Sequence, residues 1–319
     1  MILKTGSTPY KLFGLEAFRR RLSGERSQDI NVKEQIRIAN AGINGERVLE
    51  ATFKKYQLTF EHAIYHGLNL RSTGSFQIDN LFLSRQGAFI LEVKNIRGRI
   101  GFSEETNQLI RTLDNGQVDA FECPSVQLRR NRYLLEDWFH QRKLSIPIRT
   151  AVVFPNPRQL IENTRPELTI LFPNEIPTLL RELELNPPVI DSKTFSLMAN
   201  ELLEGHSDYN PYPMCKSFRI NPVEVRSGVQ CEKCGKLGME RIFRGWGCTA
   251  CKSVSRTAHV QAIKDWFMLI SDTMTNRECR EFLHIPKNYT ASRLLEDLPL
   301  ESCGANRGRY YRFPLEGMV

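Results

Sequence analysis

Apolar positions follow two different periods along the first two-thirds of the chain. Val48, Leu49, Ala51, Phe53 and Tyr56 recur at helical spacing. They predict a helix over about residues 31–56, although Gly42 and Gly45 weaken its middle. Three strand-like runs follow at 63–70, 77–84 and 88–95. Only Arg85-Gln86-Gly87 separates the last two, which predicts a hairpin. Residues 98–114 read as a further pair of short strands ending at the Asn115-Gly116 turn signal. Helices are predicted over 125–141, 176–185 and 194–203. Strands are predicted over 149–154, where Pro155 stops the run, and over 168–172. The order helix, strand, strand, strand, helix, strand implies a mixed α/β core with helices flanking a sheet. Upstream, residues 16–29 are rich in Arg and Ser and read as a loose amphipathic lead-in.

The pattern changes after residue 205. The turn-forming run His206-Ser207-Asp208-Tyr209-Asn210-Pro211-Tyr212-Pro213 reads as a linker. A cysteine-rich patch comes next, then Val260, Ile263, Phe267 and Ile270 in a helical stripe. Thr275-Asn276-Arg277-Glu278 has the form of a capping box opening a second helix through Leu283. A third helix is predicted over about 288–298. Gly304 and Asn306-Arg307-Gly308-Arg309 then interrupt two strand-like ends within 301–313. Three helices and a Gly-rich hairpin resemble a winged helix-turn-helix. The predicted division is a lead-in at 1–30, an α/β domain at 31–205, a linker at 206–228, a cysteine patch at 229–254 and a winged-helix-like domain at 255–319.

Composition narrows the class of protein. Hydrophobic residues make up 41% and charged residues 25%, which argues against wholesale disorder. No apolar run approaches the length that crosses a bilayer. The basic N-terminus has no apolar core ahead of a cleavage site, so it does not read as a secretory signal. A cytoplasmic location is expected, where thiols stay reduced and the eight cysteines need a reason other than disulfides. The net charge of +8 favours a polyanionic partner. From Arg226 onward there are 15 Lys and Arg against 10 Asp and Glu. Over half of the excess positive charge therefore sits in under a third of the chain.

Four cysteines have a reason. Cys231-x-x-Cys234 and Cys248-x-x-Cys251 are two knuckles whose thiolates close a tetrahedral four-cysteine site, for which structural Zn2+ is the expected ion. Gly235 and Gly247 suit the knuckle turns, and residues 239–243 read as a short strand between them. The stretch resembles a zinc ribbon too small to fold without metal. Lys233, Lys236, Arg241, Arg244 and Trp246 would suit nucleic acid, and a brace between neighbouring domains is the other reading. Cys123, Cys215, Cys279 and Cys303 are scattered and read as small buried residues.

The other chemistry lies in the predicted hairpin. Residues two apart on a strand share a face, so Glu92 and Lys94 point the same way. Asp79 joins them if the register sets it opposite Glu92 or Lys94, and misses them if it pairs with Val93. Two carboxylates suit Mg2+ or Mn2+, with the Val93 carbonyl as a further ligand. A lysine beside them suits charge stabilisation in phosphodiester hydrolysis. An isolated Glu-x-Lys is usually a solvated ion pair. Here the flanking residues are apolar, and buried charges need partners or a metal.

Gly45-Glu46, Gln77-Ile78-Asp79 and Glu92-Val93-Lys94-Asn95 with Gly98 together resemble the nuclease-related domain, NERD. The likeness continues through Pro124-x-x-Gln127 and Asn131 on a helix to Val152-Val153-Phe154-Pro155-Asn156, covering about residues 40–156. The resemblance implies a restriction-endonuclease-like fold of the PD-(D/E)XK class. It implies a catalytic core of Asp79, Glu92 and Lys94 with Glu46 as an accessory acid, and Gln127 on the helix bordering the site. The implied activity is metal-dependent cleavage of DNA in processing, repair or defence. In the winged-helix-like region, Lys287, Asn288 and Arg293 would contact DNA from the third helix and Arg307 and Arg309 from the wing, with Tyr289, Thr290, Ser292 and Arg312 nearby. Two alternatives stand beside this. One is a DNA-binding protein that keeps the nuclease-like fold as a scaffold. The other is a component whose C-terminal half docks a protein partner.

Overall fold

The computed structural model describes residues 1–103 and 105–314. From the N-terminus come β1 (Ile2–Lys4), α1 (Tyr10–Arg21), α2 (Gly24–Asp29), α3 (Val32–Lys55), β2 (His62–Arg71), β3 (Ser75–Ser84) and β4 (Gly87–Val93). Next are β5 (Arg99–Ser103), β6 (Gln108–Thr112), β7 (Val118–Glu122), α4 (Pro124–His140), β8 (Ile148–Val153), β9 (Ile161–Glu162), β10 (Ile170–Leu171), α5 (Ile176–Glu184) and α6 (Ser192–Glu204). Two compact units form, one of residues 1–8 with 38–208 and one of residues 9–37 with the chain from Tyr209 onward.

The first unit is mixed α/β. Its main sheet has the order β1-β2-β3-β4-β8-β10. β3 runs antiparallel to β2 and β4, while β1, β8 and β10 join their neighbours in parallel. Ser84 pairs with Gly87, so the hairpin turn is the two residues Arg85-Gln86. Apolar residues cover both faces of β4. Ala88 and Ile90 enter a core with Leu128, Leu135 and Trp138 of α4 and Met198 of α6. Phe89, Leu91 and Val93 enter another with Leu49 and Phe53 of α3 and Leu180 of α5. Burial on both faces explains the unbroken apolar run that precedes Glu92. β5, β6, β7 and β9 form a second, small sheet. The expected pair of strands gains β7, which lies beyond the Asn115-Gly116 turn. Most of β7 is exposed, so it carries no apolar period to reveal it.

The second unit continues with α7 (Met214–Phe218), β11 (Val229–Gln230), β12 (Leu237–Ile242), β13 (Gly245–Gly247), β14 (Val254–Ser255), α8 (Ala258–Leu269), β15 (Thr273–Thr275), α9 (Asn276–Leu283), α10 (Asn288–Glu296), β16 (Glu301–Cys303) and β17 (Tyr310–Arg312). β11 to β14 form one sheet, and β17 lies between β15 and β16 in another. The expected capping box is present, with Thr275 and Glu278 each bonding the other's backbone N–H.

Two stretches differ from expectation. Residues 16–29 are not a loose lead-in, because α1 buries Leu15 and Phe18 in the core of the second unit. The arginines that read as solvated have partners far along the chain. Arg21 Nε lies 2.8 Å and Arg20 Nη2 2.6 Å from the Asp265 carboxylate of α8. Arg21 and Asp265 are both fully buried. Residues 206–228, expected as a linker, supply α7 and bury Met214, Cys215, Ile220 and Val225 in the same core. Trp246, Cys231 and Cys248 join it as well, so the cysteine patch does not have a core of its own.

Candidate functional site

The acidic site is built where the regular period of β2 and β3 changes phase. Phe76 and Ile78 precede Asp79, Leu81 and Leu83 follow it, and all four face one core. Across the ladder Ala63 and Tyr65, then Leu68 and Leu70, show the same slip. Gly67 takes it up with a φ of 64°, in the left-handed region that glycine enters freely. Asp79 therefore sits at the slip. Asn80 pairs with Leu91 at the end of the β3–β4 ladder, so Asp79 lies just beyond the last pair. Asp79 Oδ2 accepts a hydrogen bond from Val93 N at 3.2 Å.

Glu92 is 2% exposed. Its Oε1 accepts from Lys94 Nζ at 2.6 Å, while its buried Oε2 has no partner among the described residues. Lys94 Nζ also donates to Gln127 Oε1 at 3.0 Å, and Lys94 N bonds Val153 O at 2.9 Å. Gln127 stands in the first turn of α4, which opens with Pro124 at a position where a missing N–H costs nothing. One turn later the buried Asn131 donates to Gln77 O at 2.8 Å, holding β3 just ahead of Asp79.

Glu46 comes from α3, and Gly45 lets that helix approach. A Cβ on Gly45 would lie 2.9 Å from Val93 Cγ1 and from Asn95 Cβ. Asn95 Nδ2 donates to Ala41 O at 2.8 Å and ties the strand end to the helix. The glycine that weakens the helix in sequence is thus the one that brings it against β4. Gly98 has a comparable constraint, with a φ of 98° and Thr112 O only 2.5 Å from where a Cβ would stand.

Proximity and burial disturb the carboxyls. Burial, then the Glu92 and Glu46 charges, hold Asp79 well above the usual carboxylate range, against Lys94 and the Val93 N–H. Burial and the Glu92 charge push Glu46 up to about 7, with Lys4 opposing. Glu92, Lys94 and Gln127 are thus linked by contacts, Asp79 by its bond to Val93 N and by charge, and Glu46 by charge. Lys4 of β1, which sequence reasoning missed, is part of this field. Its Nζ bonds His66 O at 2.9 Å, and nothing local in Ile2-Leu3-Lys4 points to a partner sixty residues away.

The donor set fits a hard cation in two respects. Carboxyls pushed up by neighbouring negative charge, as Asp79 and Glu46 are, are relieved by positive charge, and Glu92 Oε2 has no partner among the described residues. A cluster of four cysteines elsewhere places its possible ligand atoms within 4.8 Å of one another.

That cluster is Cys231, Cys234, Cys248 and Cys251. The Cys231–Cys251 and Cys234–Cys248 Sγ pairs lie 3.6 Å apart. Four thiolates at Zn–S distances of about 2.3 Å would stand about 3.8 Å apart. Gly235 N bonds Cys231 O and Lys252 N bonds Cys248 O, closing both knuckles. Gly235 turns at φ 73° as expected, but Lys252, not Gly247, makes the second turn, at φ 59°. Gly247 lies in β13 instead, against Ile242.

The five expected DNA contacts are spread over two elements. Lys287 caps α10, and Asn288 O accepts from Asn276 Nδ2 at 3.0 Å. Arg293 and Arg309 make loose, exposed pairs with Asp297 and Glu296. Arg307 lies in a single turn between β16 and β17. No helix among the described residues is long and apolar enough to cross a membrane.

No curated protein and no solved structure matches the chain. One family model does, described as NERD, nuclease-related domain, and it matches residues 41–155. Its span takes in Gly45 and Glu46, the β3–β4 hairpin, Gln127 and the end of β8, and over this stretch the chain is similar to that family.

Proposed function

We propose that the protein is a metal-dependent nuclease that hydrolyses DNA phosphodiester bonds. The observation that carries this is the joining of Asp79, Glu92 and Lys94 at one point of a stretch similar to the nuclease-related domain, with a buried Glu92 oxygen left over. Asp79 and Glu92 would hold Mg2+ or Mn2+, which supplies neutralisation of the phosphoryl oxygens and acidification of a water. Lys94, clamped by Glu92 and Gln127, presents an ammonium to charge developing on the phosphate without having to reorganise. Glu46 is poised to exchange a proton near neutrality. Gln127 and Asn131 are positioning residues.

The four-cysteine cluster is proposed as a structural Zn2+ site, since four thiolates leave no open coordination position. The second unit is proposed to bind DNA. Its order of helix, strand, helix, helix, strand, strand from α8 to β17 fits a winged helix. Free thiols throughout suit a cytoplasmic setting.

A second reading, a DNA-binding protein that does not cut, is supported by the excess of positive charge from Arg226 onward, which lies outside the carboxylate site. Plasmid and linear DNA incubated with Mg2+ or Mn2+ separate the two. The expected result is cleavage that needs the added ion and disappears in Asp79→Asn and Glu92→Gln. Salt-sensitive binding without cleavage supports the second reading.

A further inference from the structure

The second unit holds a cleft of about 390 Å³ between the cysteine-bearing sheet and α10. Arg241, Arg244, Arg256 and Arg293 line it, together with His259 and Tyr289. Asp297 is the one acid on its wall. Among the described residues Arg241, Arg244 and Arg256 form no ion pair, and Arg293 reaches Asp297 only at 4.0 Å. Four guanidinium groups with so little local compensation make a positive surface that attracts anions.

The floor of the cleft is organised. Trp246 is fully buried, and its indole N–H donates to His259 Nδ1 at 3.2 Å. That bond leaves Nε2 as the protonated nitrogen of a neutral ring, a donor on the cleft wall. Burial and Arg241 push the His259 pKa down to about 4, so the ring stays neutral at pH 7. The Arg241 guanidinium lies 5.3 Å from the Trp246 ring centroid, and its Nη1 donates to Gly245 O at 2.8 Å. One tryptophan therefore fixes both donors. Aromatic surface is available beside them. Tyr289 is 77% exposed, and Phe243, next to Arg244 in sequence, is 87% exposed.

We infer that this cleft binds a single-stranded nucleic-acid segment, with the phosphodiester held by Arg241, Arg256, Arg293 and the His259 Nε2–H, and a base stacked on Tyr289. The guanidinium lining beside an exposed ring offers an unpaired base a stacking face that a duplex, whose bases are already stacked, does not use. Cationic grooves with exposed rings are the common platform for unpaired strands. The inference concerns a site apart from the carboxylates and holds whether or not those residues cut.

The test is fluorescence anisotropy on the full chain, without added divalent cation. The probes are labelled single-stranded DNA and RNA oligonucleotides and a DNA duplex. Tyr289, Arg256 and Arg293 are all exposed, so their substitution leaves the core intact. Tyr289→Ser is expected to weaken single-strand binding by about tenfold. The pair Arg256→Gln with Arg293→Gln should lower the log–log salt slope for single strands by about 1.4. Arg256→Lys should retain its share of that slope. Arg307→Gln and Arg309→Gln should leave single-strand binding unchanged. Single-strand affinity indifferent to the three cleft substitutions, or lost instead through Arg307 and Arg309, overturns the inference.

Discussion

Glu92 shows how one residue can be read and misread. In sequence it is half of a Glu-x-Lys pair, and most such pairs lie on solvated strands. Its burial and its free Oε2 make it something else. The apolar run ahead of it foretold the burial. The charge interaction with Asp79 depends on register, because the period-two rule does not say which residue faces which across a hairpin. The slip at Gly67 and Asp79 is a property of two strands together and has no local signal. Glu46 brings a pH prediction. A carboxyl whose folded pKa lies above its unfolded value costs stability as pH rises between the two, and the cost stays constant beyond. For Glu46 the window runs from the ordinary 4.5 to about 7. Glu46→Gln removes the cost, so without added cation its gain in melting temperature over the parent should be larger above pH 7 than near pH 4.5. An equal gain at both, measured by thermal denaturation, contradicts the placement of Glu46 beside Glu92.

Elements explain where sequence and structure part. β4, β8 and the flanking helices α3 to α6 follow their apolar periods closely, while β2 and β3 change phase at Gly67 and Asp79 and the short β1 has no apolar run to mark it. α1 and the 206–228 stretch do not, because their charges and turn residues are compensated from more than two hundred residues away. Arg21 and Asp265 are the sharpest case. Removing one partner of a buried pair leaves an uncompensated charge, at a cost of about 3–5 kcal/mol. Asp265→Ala should therefore lower the urea stability of the second unit by about that amount. A loss below about 1 kcal/mol would mean the pair is only a surface-like contact. Gly45→Ala forces α3 away from Val93 and Asn95. It should cost about 1–3 kcal/mol by overpacking, although alanine favours a helix. A stabilised variant would show that the helix does not approach β4 this closely.

At the scale of the molecule, chemistry is divided between two units, and both were marked in the sequence by short-range spacing. The cysteine quartet and the Glu-x-Lys strand could be found, while the arginine cleft could not, since its four arginines span more than fifty residues. Because Cys231 and Cys248 share a core with α1, α7 and α8, loss of zinc should weaken the whole second unit rather than one small patch. Metal analysis should find one zinc per chain. Cys251→Ser should lower the melting transition of that unit together with its zinc content. Zinc-free protein of unchanged stability contradicts the assignment. The most direct test of the nuclease reading is the single-turnover rate of Mg2+-dependent DNA cleavage in Lys94→Met, measured beside DNA affinity. The predicted result is a rate at least about 100-fold lower with affinity unchanged. Cleavage at the parental rate would contradict it.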